Sequence, residues 1–352
     1  MPYAQRRERL RALMAERALD ALLVSYASNR YYLSGFELHD VQLNESAGCL
    51  VITRDGRDYL CTDSRYLDAA RRLWKEDDIF IYSGDVAGCL AKFLPCCGAR
   101  IGFESQCVSA AFAAALSRRV RLEAADGLVE RLRLYKDADE VARLRHSFAL
   151  NHAMLTWVRD EVVEGVTEYE LAWKIERYFR EHGASELAFP SIVAFGTNAA
   201  LPHAIPGERR LTPETCVLLD VGCRVDAYCS DQTRTFWFGE HEDERFTRAR
   251  DLVAEAQQVA IDGMYPGMPM KEAYALARRV FENEGQEKFF THGLGHGVGL
   301  DTHERPSLSP RSDMVLEPGM TVTVEPGLYY PEWGGVRLEF TTLIGEYGAE
   351  IL

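Results

Sequence analysis

Hydrophobic positions along the first part of the chain recur with two periods that alternate. Between Arg6 and Ala18, Leu10, Leu13 and Met14 fall on one face of a 3.6-residue repeat, which predicts a helix. ALDALLVSY (18–26) is a short apolar run of the kind buried strands show. CLVITRDGRDYLCTD (49–63) centres on Asp55-Gly56 and predicts a β-hairpin, because Asp-Gly tolerates the positive φ of a tight turn. LDAARRLW (67–74) predicts a helix and DIFIYS (78–83) a strand. RIGFES (100–105) and RVRLEAAD (119–126) predict strands, with a helix over Val108–Ser117 between them. Helices alternating with strands over about 130 residues predict one small α/β domain.

The pattern changes near Val129. A long charged helix without Pro or Gly is expected from Asp137 to Val163. Thr167 opens another, with Thr167 and Glu170 as a capping box, and Gly183 ends it. Two more helices are expected at 242–262 and 269–284, then a Gly-rich β region to the C-terminus. The domain boundary is placed at 131–136, giving domains 1–132 and 133–352. Two domains also suit 352 residues.

Two segments carry the chemistry. In CVLLDVGCRVDAYCSDQTRTFWFG, Asp220 and Asp231 are eleven apart. A regular hairpin centred between Val225 and Asp226 sets them face to face, with Cβ atoms about 5 Å apart. Like charges so placed, with apolar flanks, call for a bridging cation; the alternative is an exposed acidic hairpin with a frayed turn. In GMTVTVEPGLYYPEWGGVRLEFTTLIG, Glu325 and Glu339 are fourteen apart around Glu332, and again oppose each other. Glu325 then shares a face with Thr321 and Thr323, away from Val322 and Val324. Arg337 shares the face of Glu339, and the alternative is a surface salt bridge between those two. Two such hairpins in one domain hint at a diverged internal duplication.

Four of the nine histidines lie close by. His292, His296 and His303 fall within THGLGHGVGLDTHERP, where glycines let backbone approach a site. His203 lies in the turn-rich loop FPSIVAFGTNAALPHAIPGERRL. Neutral imidazole suits Mn, Co, Fe or Zn, and the spacing is not that of a helical HExxH zinc protease. Four carboxylates and one histidine suit a pair of dications, which together generate hydroxide at neutral pH. Spacing alone thus leads to a dinuclear hydrolase without a substrate.

Composition narrows the field. The 54 acidic and 40 basic residues leave a net charge of −14, which argues against nucleic acid and anionic membrane surfaces as partners. No apolar run reaches the roughly 18 residues a transmembrane helix needs. The charged start lacks the apolar core of a signal peptide, so the cytoplasm is expected. The nine cysteines are irregularly placed without a CxxC pair and are expected to pack as small hydrophobes.

The motifs LLDVGCRVDAYCSDQTRTF, THGLGHGVGLDTHERP, TVTVEPGLYYP and GGVRLE together resemble the metal-binding core of the Xaa-Pro peptidases of the pita-bread metallopeptidase family. RALDALLVSYASNRYYLSGF resembles the small N-terminal domain of prolidase and aminopeptidase P, and VERLRLYKDADEVARLR their joint. The resemblance implies a creatinase/prolidase-type α/β domain followed by a pita-bread α+β catalytic domain. It implies two divalent ions, manganese first with Co, Fe or Zn as alternatives, held by Asp220, Asp231, His296, Glu325 and Glu339, with Asp231 and Glu339 bridging. It also implies that His203, His292 and His303 line the cleft, that His203 and His303 orient the peptide and hold the oxyanion, that Arg337 supports the site, and that Glu325 handles the proton of the attacking water.

The activity implied is hydrolysis of the Xaa-Pro bond at a peptide N-terminus, with the ions activating water against the carbonyl before proline. Xaa-Pro aminopeptidase is the first reading and Xaa-Pro dipeptidase the alternative. A non-catalytic binding module and a metal-free creatinase-like hydrolase are disfavoured because all five ligands are present. Peptides with proline second are the expected partners, and a homodimer follows from the resemblance alone. Phe189, Phe195 and Tyr228 are candidates for a proline pocket, with core packing the commoner role for such residues. Phe340 stands where many relatives carry Asp beside the bridging Glu339. Cys223, expected opposite Tyr228, and Cys229 are read as packing residues.

Overall fold

The computed structural model describes residues 3–40, 42 and 45–352; Met1 and Pro2 of the charged start lie outside them. The chain divides into units 1–133 and 134–352. The first contains helix α1 (Tyr3–Glu16), strand β1 (Ala21–Val24), α2 (Ala27–Ser34), β2 (Cys49–Thr53), β3 (Tyr59–Thr62), α3 (Leu67–Arg71), β4 (Ile79–Ile81), α4 (Val86–Phe93), β5 (Arg100–Phe103), α5 (Ala110–Leu116), β6 (Arg121–Ala124) and α6 (Leu128–Arg133). Its sheet runs β4-β3-β2-β1-β5-β6, antiparallel within β1–β2–β3 and parallel at the remaining pairings. Leu10, Leu13 and Met14 are the buried apolar face of α1. Gly56 turns the β2–β3 hairpin at φ 93°.

The second unit has two helix pairs, each followed by strands. The first pair is α7 (Ala138–Trp157) and α8 (Glu168–Glu181), followed by β7 (Glu186–Leu187), β8 (Ile192–Phe195), β9 (Thr215–Val221), β10 (Cys223–Val225), β11 (Tyr228–Cys229) and β12 (Gln232–Phe238). The second pair is α9 (Glu244–Gly263) and α10 (Met270–Asn283), followed by β13 (Gly295–Gly297), β14 (Glu304–Leu308), β15 (Thr321–Val324), β16 (Gly327–Tyr330), β17 (Gly334–Arg337), β18 (Phe340–Ile344) and β19 (Ala349–Ile351). α7 ends at Trp157, short of the expected Val163, and gives way to a single tight turn at Val158–Asp160. Both helices of the first pair open on capping boxes, Asp137 with Glu140 and Thr167 with Glu170. Each box satisfies two backbone N–H groups that would otherwise lack partners.

Two apolar clusters clamp the strands that carry the acids. One joins α9 and α10 to Leu218, Val322, Val324 and Val336. The other joins α8 to Val217, Leu219 and Val221. Alternation along β9 sends its residues into both clusters, so that strand is fixed from two sides. Replacing Thr167 with Ala removes one hydrogen bond of its capping box and should cost about 1 kcal/mol. A urea melt should then show a lower midpoint with an unchanged slope.

Candidate metal centre

Asp220 lies near the end of β9 and Asp231 just ahead of β12. Their hairpin turns at Asp226-Ala227, both at positive φ (50° and 74°), with Val225 opposite Tyr228. The centre is therefore one residue further on than a face-to-face arrangement of the two aspartates requires. Asp220 opposes Thr233, and Asp231 sits diagonally across on the same face, two residues from Thr233. Turn geometry sets this register: positive φ at both residues is the type I′ turn of a two-residue hairpin loop. Gly222 makes room for it, since a Cβ there would collide with the Ser230 carbonyl. The same shift pairs Cys223 with Ser230, not Tyr228. Cys223 and Cys229 are both buried, and Cys229 instead approaches the Leu300 carbonyl.

The second hairpin keeps the register its spacing demands. Val324 opposes Phe340 and Gly327 opposes Arg337, so Glu325 and Glu339 lie between two matched pairs and face each other. Backbone bonds join the hairpins: Glu339 N–H donates to Thr233 O at 3.1 Å, and Glu325 N–H donates to Leu294 O at 2.8 Å. His296 sits in β13, where its N–H donates to Thr323 Oγ1 at 3.0 Å. Gly295 is required beside it, because a Cβ would strike the Thr323 carbonyl.

Ligand atoms of Asp231, His296 and Glu339 all lie within 4.8 Å of one another. His296 Nε2 is 3.2 Å from Glu325 Oε1 and 3.7 Å from Asp231 Oδ2. Asp220 Oδ1 and Glu339 Oε1 are buried with no hydrogen-bond partner. Buried carboxylate oxygens without donors are costly unless a cation takes them. This oxygen-rich set with one imidazole fits a divalent ion.

The other oxygens of these acids are engaged. Arg337 Nη2 donates to Asp220 Oδ2 at 2.7 Å, and Thr233 Oγ1 donates to Glu339 Oε2 at 2.8 Å. Arg337 thus pairs with Asp220 inside the protein, not with Glu339 on a surface.

The acids titrate according to their surroundings. Burial, and then the charges of Glu339 and Asp220, push Asp231 well up. Burial raises Asp220 against the pull of Arg337. Burial with the charges of Glu325 and Asp220 takes Glu339 to about 8. Glu325 goes the other way: burial raises it, but the hydrogen bond and charge of His296 prevail and hold it at about 2. Burial works to lower His296, yet Glu325 lifts it to about 9. Burial keeps His292 and His303 below the usual histidine value, His303 also through the charge of His296.

A cavity of about 500 Å³ opens on this centre. Asp220, Asp231, His296, Glu325, Glu339 and Arg337 line it together with His203, His292 and His303. Its remaining wall is apolar, with Phe189, Ile192, Pro202, Ala204 and Pro206 prominent. Phe195 and Tyr228 are not part of it: both point into the protein, Phe195 into the cluster against α8 and Tyr228 toward Glu140.

Tyr329 was not singled out from the sequence, yet its hydroxyl joins two site residues. It lies 2.9 Å from His292 Nε2 and accepts from Arg337 Nη1 at 2.8 Å. Its place was legible, since four residues beyond Glu325 on an extended chain is the same face. Thr233 and Thr323 were also missed as direct partners of Glu339 and of His296 with Glu325.

A second unit that gathers acids and one imidazole under an open cavity has the side chains of a metal-dependent hydrolase, and the chain is a metallopeptidase. It belongs to metallopeptidase family M24, whose model matches residues 142–346, and the creatinase/prolidase N-terminal domain model matches residues 6–135. An uncharacterized peptidase of Bacillus subtilis, YqhT, is 34% identical over 346 residues, 97% of this chain and 95% of that one. A solved Xaa-Pro dipeptidase from Bacillus anthracis is 33% identical at a TM-score of 0.92, covering 99% of this chain and 97% of that one. An X-Pro aminopeptidase from Thermotoga maritima is 29% identical at 0.84, covering 96% of each.

Two outcomes are expected of the site. Divalent ions must displace protons from Glu339 and His296, whose pKa values stand at about 8 and 9. Ion affinity should therefore rise with pH from 6 to 9, with proton release seen by calorimetry in buffers of different ionisation enthalpy. Arg337→Met strands Asp220 without its partner and should weaken ion binding about 10–100-fold, read by the same titration.

Proposed function

We propose that this metallopeptidase hydrolyses the bond between an N-terminal residue and proline. The observation that carries the reading is the convergence of Asp220, Asp231, His296, Glu325 and Glu339 on a cavity whose other wall is apolar. That wall suits a proline ring, with Phe189 retained as a pocket residue. Likeness to an Xaa-Pro dipeptidase and to an X-Pro aminopeptidase supports the same substrate class.

In this reading the five side chains hold two divalent ions, manganese first. Such ions supply Lewis acidity and lower the pKa of water. Glu325 takes the proton of the attacking water on its carboxylate and returns it to the proline nitrogen. Its low pKa stems from the hydrogen bond and charge of His296, so the carboxylate is ionised and able to accept that proton. His303 is kept neutral by burial and donates a hydrogen bond to the developing oxyanion. His203 orients the peptide from its loop. Tyr329 ties His292 to Arg337, and Arg337 keeps Asp220 in place.

Aminopeptidase action on longer peptides is favoured by the lining. Arg337 is the sole Lys or Arg among the described residues that line the cavity, and it is engaged by Asp220, Tyr329, Thr233 and the Pro202 carbonyl. None is thus left to read a dipeptide's carboxylate. The dipeptidase reading is favoured instead by the higher identity and TM-score of the B. anthracis enzyme. A cytoplasmic homodimer remains part of the proposal.

Metal-loaded protein should release the first residue from Xaa-Pro-Xaa tripeptides. Cleavage of Xaa-Pro dipeptides alone establishes the dipeptidase, and cleavage of neither with Mn, Co, Fe or Zn supplied defeats the enzyme reading. Asp231→Ala should abolish ion binding and activity with an unchanged circular dichroism spectrum; full activity would refute the assignment.

A further inference from the structure

The N-terminal unit contains a second arrangement of metal-ligating side chains, far simpler than the first. After α4 the chain makes one tight turn, Leu94–Cys97, with Pro95 at its start, and Gly98 follows at φ 135°. The turn puts two adjacent cysteines side by side, with sulfurs 3.7 Å apart. Cys96 is exposed, and Cys97 is half-buried, packed like Tyr59, Phe80 and Phe93 against the core of Leu23, Val51 and Leu94. Both thiols are free.

The sulfur spacing selects the chemistry. Two thiolates bound at about 2.3 Å to one centre lie about 3.8 Å apart at a tetrahedral angle and about 3.3 Å apart at the near-right angle of a pyramidal trivalent centre. A disulfide needs about 2.05 Å. The observed 3.7 Å contact is a few tenths of an ångström from either bite and much further from a disulfide. Among the described residues no third His, Cys, Asp or Glu joins them within ligand range, and two sulfurs suit a centre with two free valences and an affinity for soft donors. We propose that Cys96 and Cys97 form a binding site for thiophilic metal or metalloid centres, of which a trivalent arsenical bearing one organic group is the best match.

Binding a phenylarsine oxide is balanced without any redox step. Each thiol gives its proton to the arsenic-bound oxygen, two As–S bonds form, and the oxygen leaves as water. Cys97 supplies anchoring, because its packed side chain holds one sulfur in place while exposed Cys96 admits the ligand. Burial and the neighbouring Cys96 keep the Cys97 thiol protonated in ordinary conditions. Cys97 is therefore a poor nucleophile by itself, and the site relies on chelation for its affinity.

The competing pair is Cys49 and Cys61, directly opposite each other in β2 and β3, but both are buried. Phenylarsine oxide added to the full-length, metal-loaded protein tests the assignment, read by intact-mass spectrometry after washing with excess 2-mercaptoethanol. One arsenical per chain should survive that monothiol and be released by 2,3-dimercaptopropanol. Cys96→Ser and Cys97→Ser should each lose the resistant adduct, and Cys61→Ser should keep it. Cys96 is exposed, so its variant is expected to give the wild-type circular dichroism spectrum. Absence of a resistant adduct on the wild-type chain would overturn the proposal. Its persistence in Cys96→Ser, or its loss in Cys61→Ser alone, would do the same.

Discussion

Mutual repulsion of buried carboxylates is the constraint on which the catalytic unit depends. Asp231 and Glu339 have ligand atoms within 4.8 Å, where two unit charges repel by about 3 kcal/mol at an effective dielectric near 20. Asp220 and Glu325 add to this from the same cavity. Such a cluster folds only where each oxygen has a donor or awaits a cation. Arg337 serves Asp220, Thr233 serves Glu339, and Thr323 serves Glu325. The oxygens left over, Asp220 Oδ1 and Glu339 Oε1, point to where an ion belongs.

The scaffold is arranged to bear this cost. Each acid-bearing hairpin follows a pair of helices, and the apolar faces of those helices grip the same strands that carry the acids. Backbone bonds from Glu339 to Thr233 and from Glu325 to Leu294 then lock the hairpins and β13 to one another. Small displacements of any one strand would break several of these contacts together. That rigidity is what keeps ligands at coordination distance when charge alone would drive them apart.

The departure at Phe340 fits the same logic. In place of a carboxylate, its ring lies 4.3 Å beneath the Arg234 guanidinium, which also donates to the Glu339 carbonyl and the Thr233 carbonyl. The arginine is therefore satisfied by a π-face and two backbone oxygens. It braces the chain at Glu339 without bringing a further negative charge near the centre.

Much of this was legible in the sequence because strands have period two. The fourteen-residue spacing of Glu325 and Glu339 required them to face each other, and they do. The helix start at Thr167 was readable because capping is a local hydrogen-bond pattern, and the structure adds a second box at Asp137. The chemistry of Asp220, Asp231, Glu325 and Glu339 beside four nearby histidines was readable as a metal site from residue types and spacing. What the sequence could not carry was register and partnership. The aspartate hairpin slipped by one residue at its centre because Asp226 and Ala227 both take positive φ, a conformation Ala227 does not advertise. Arg337 chose Asp220 over the nearby Glu339 because the two hairpins meet across more than a hundred residues. Phe195 and Tyr228 were assigned to the core by packing that no linear pattern encodes. Local chemistry belongs to the chain, whereas the pairing of distant charges exists only once the strands are brought together.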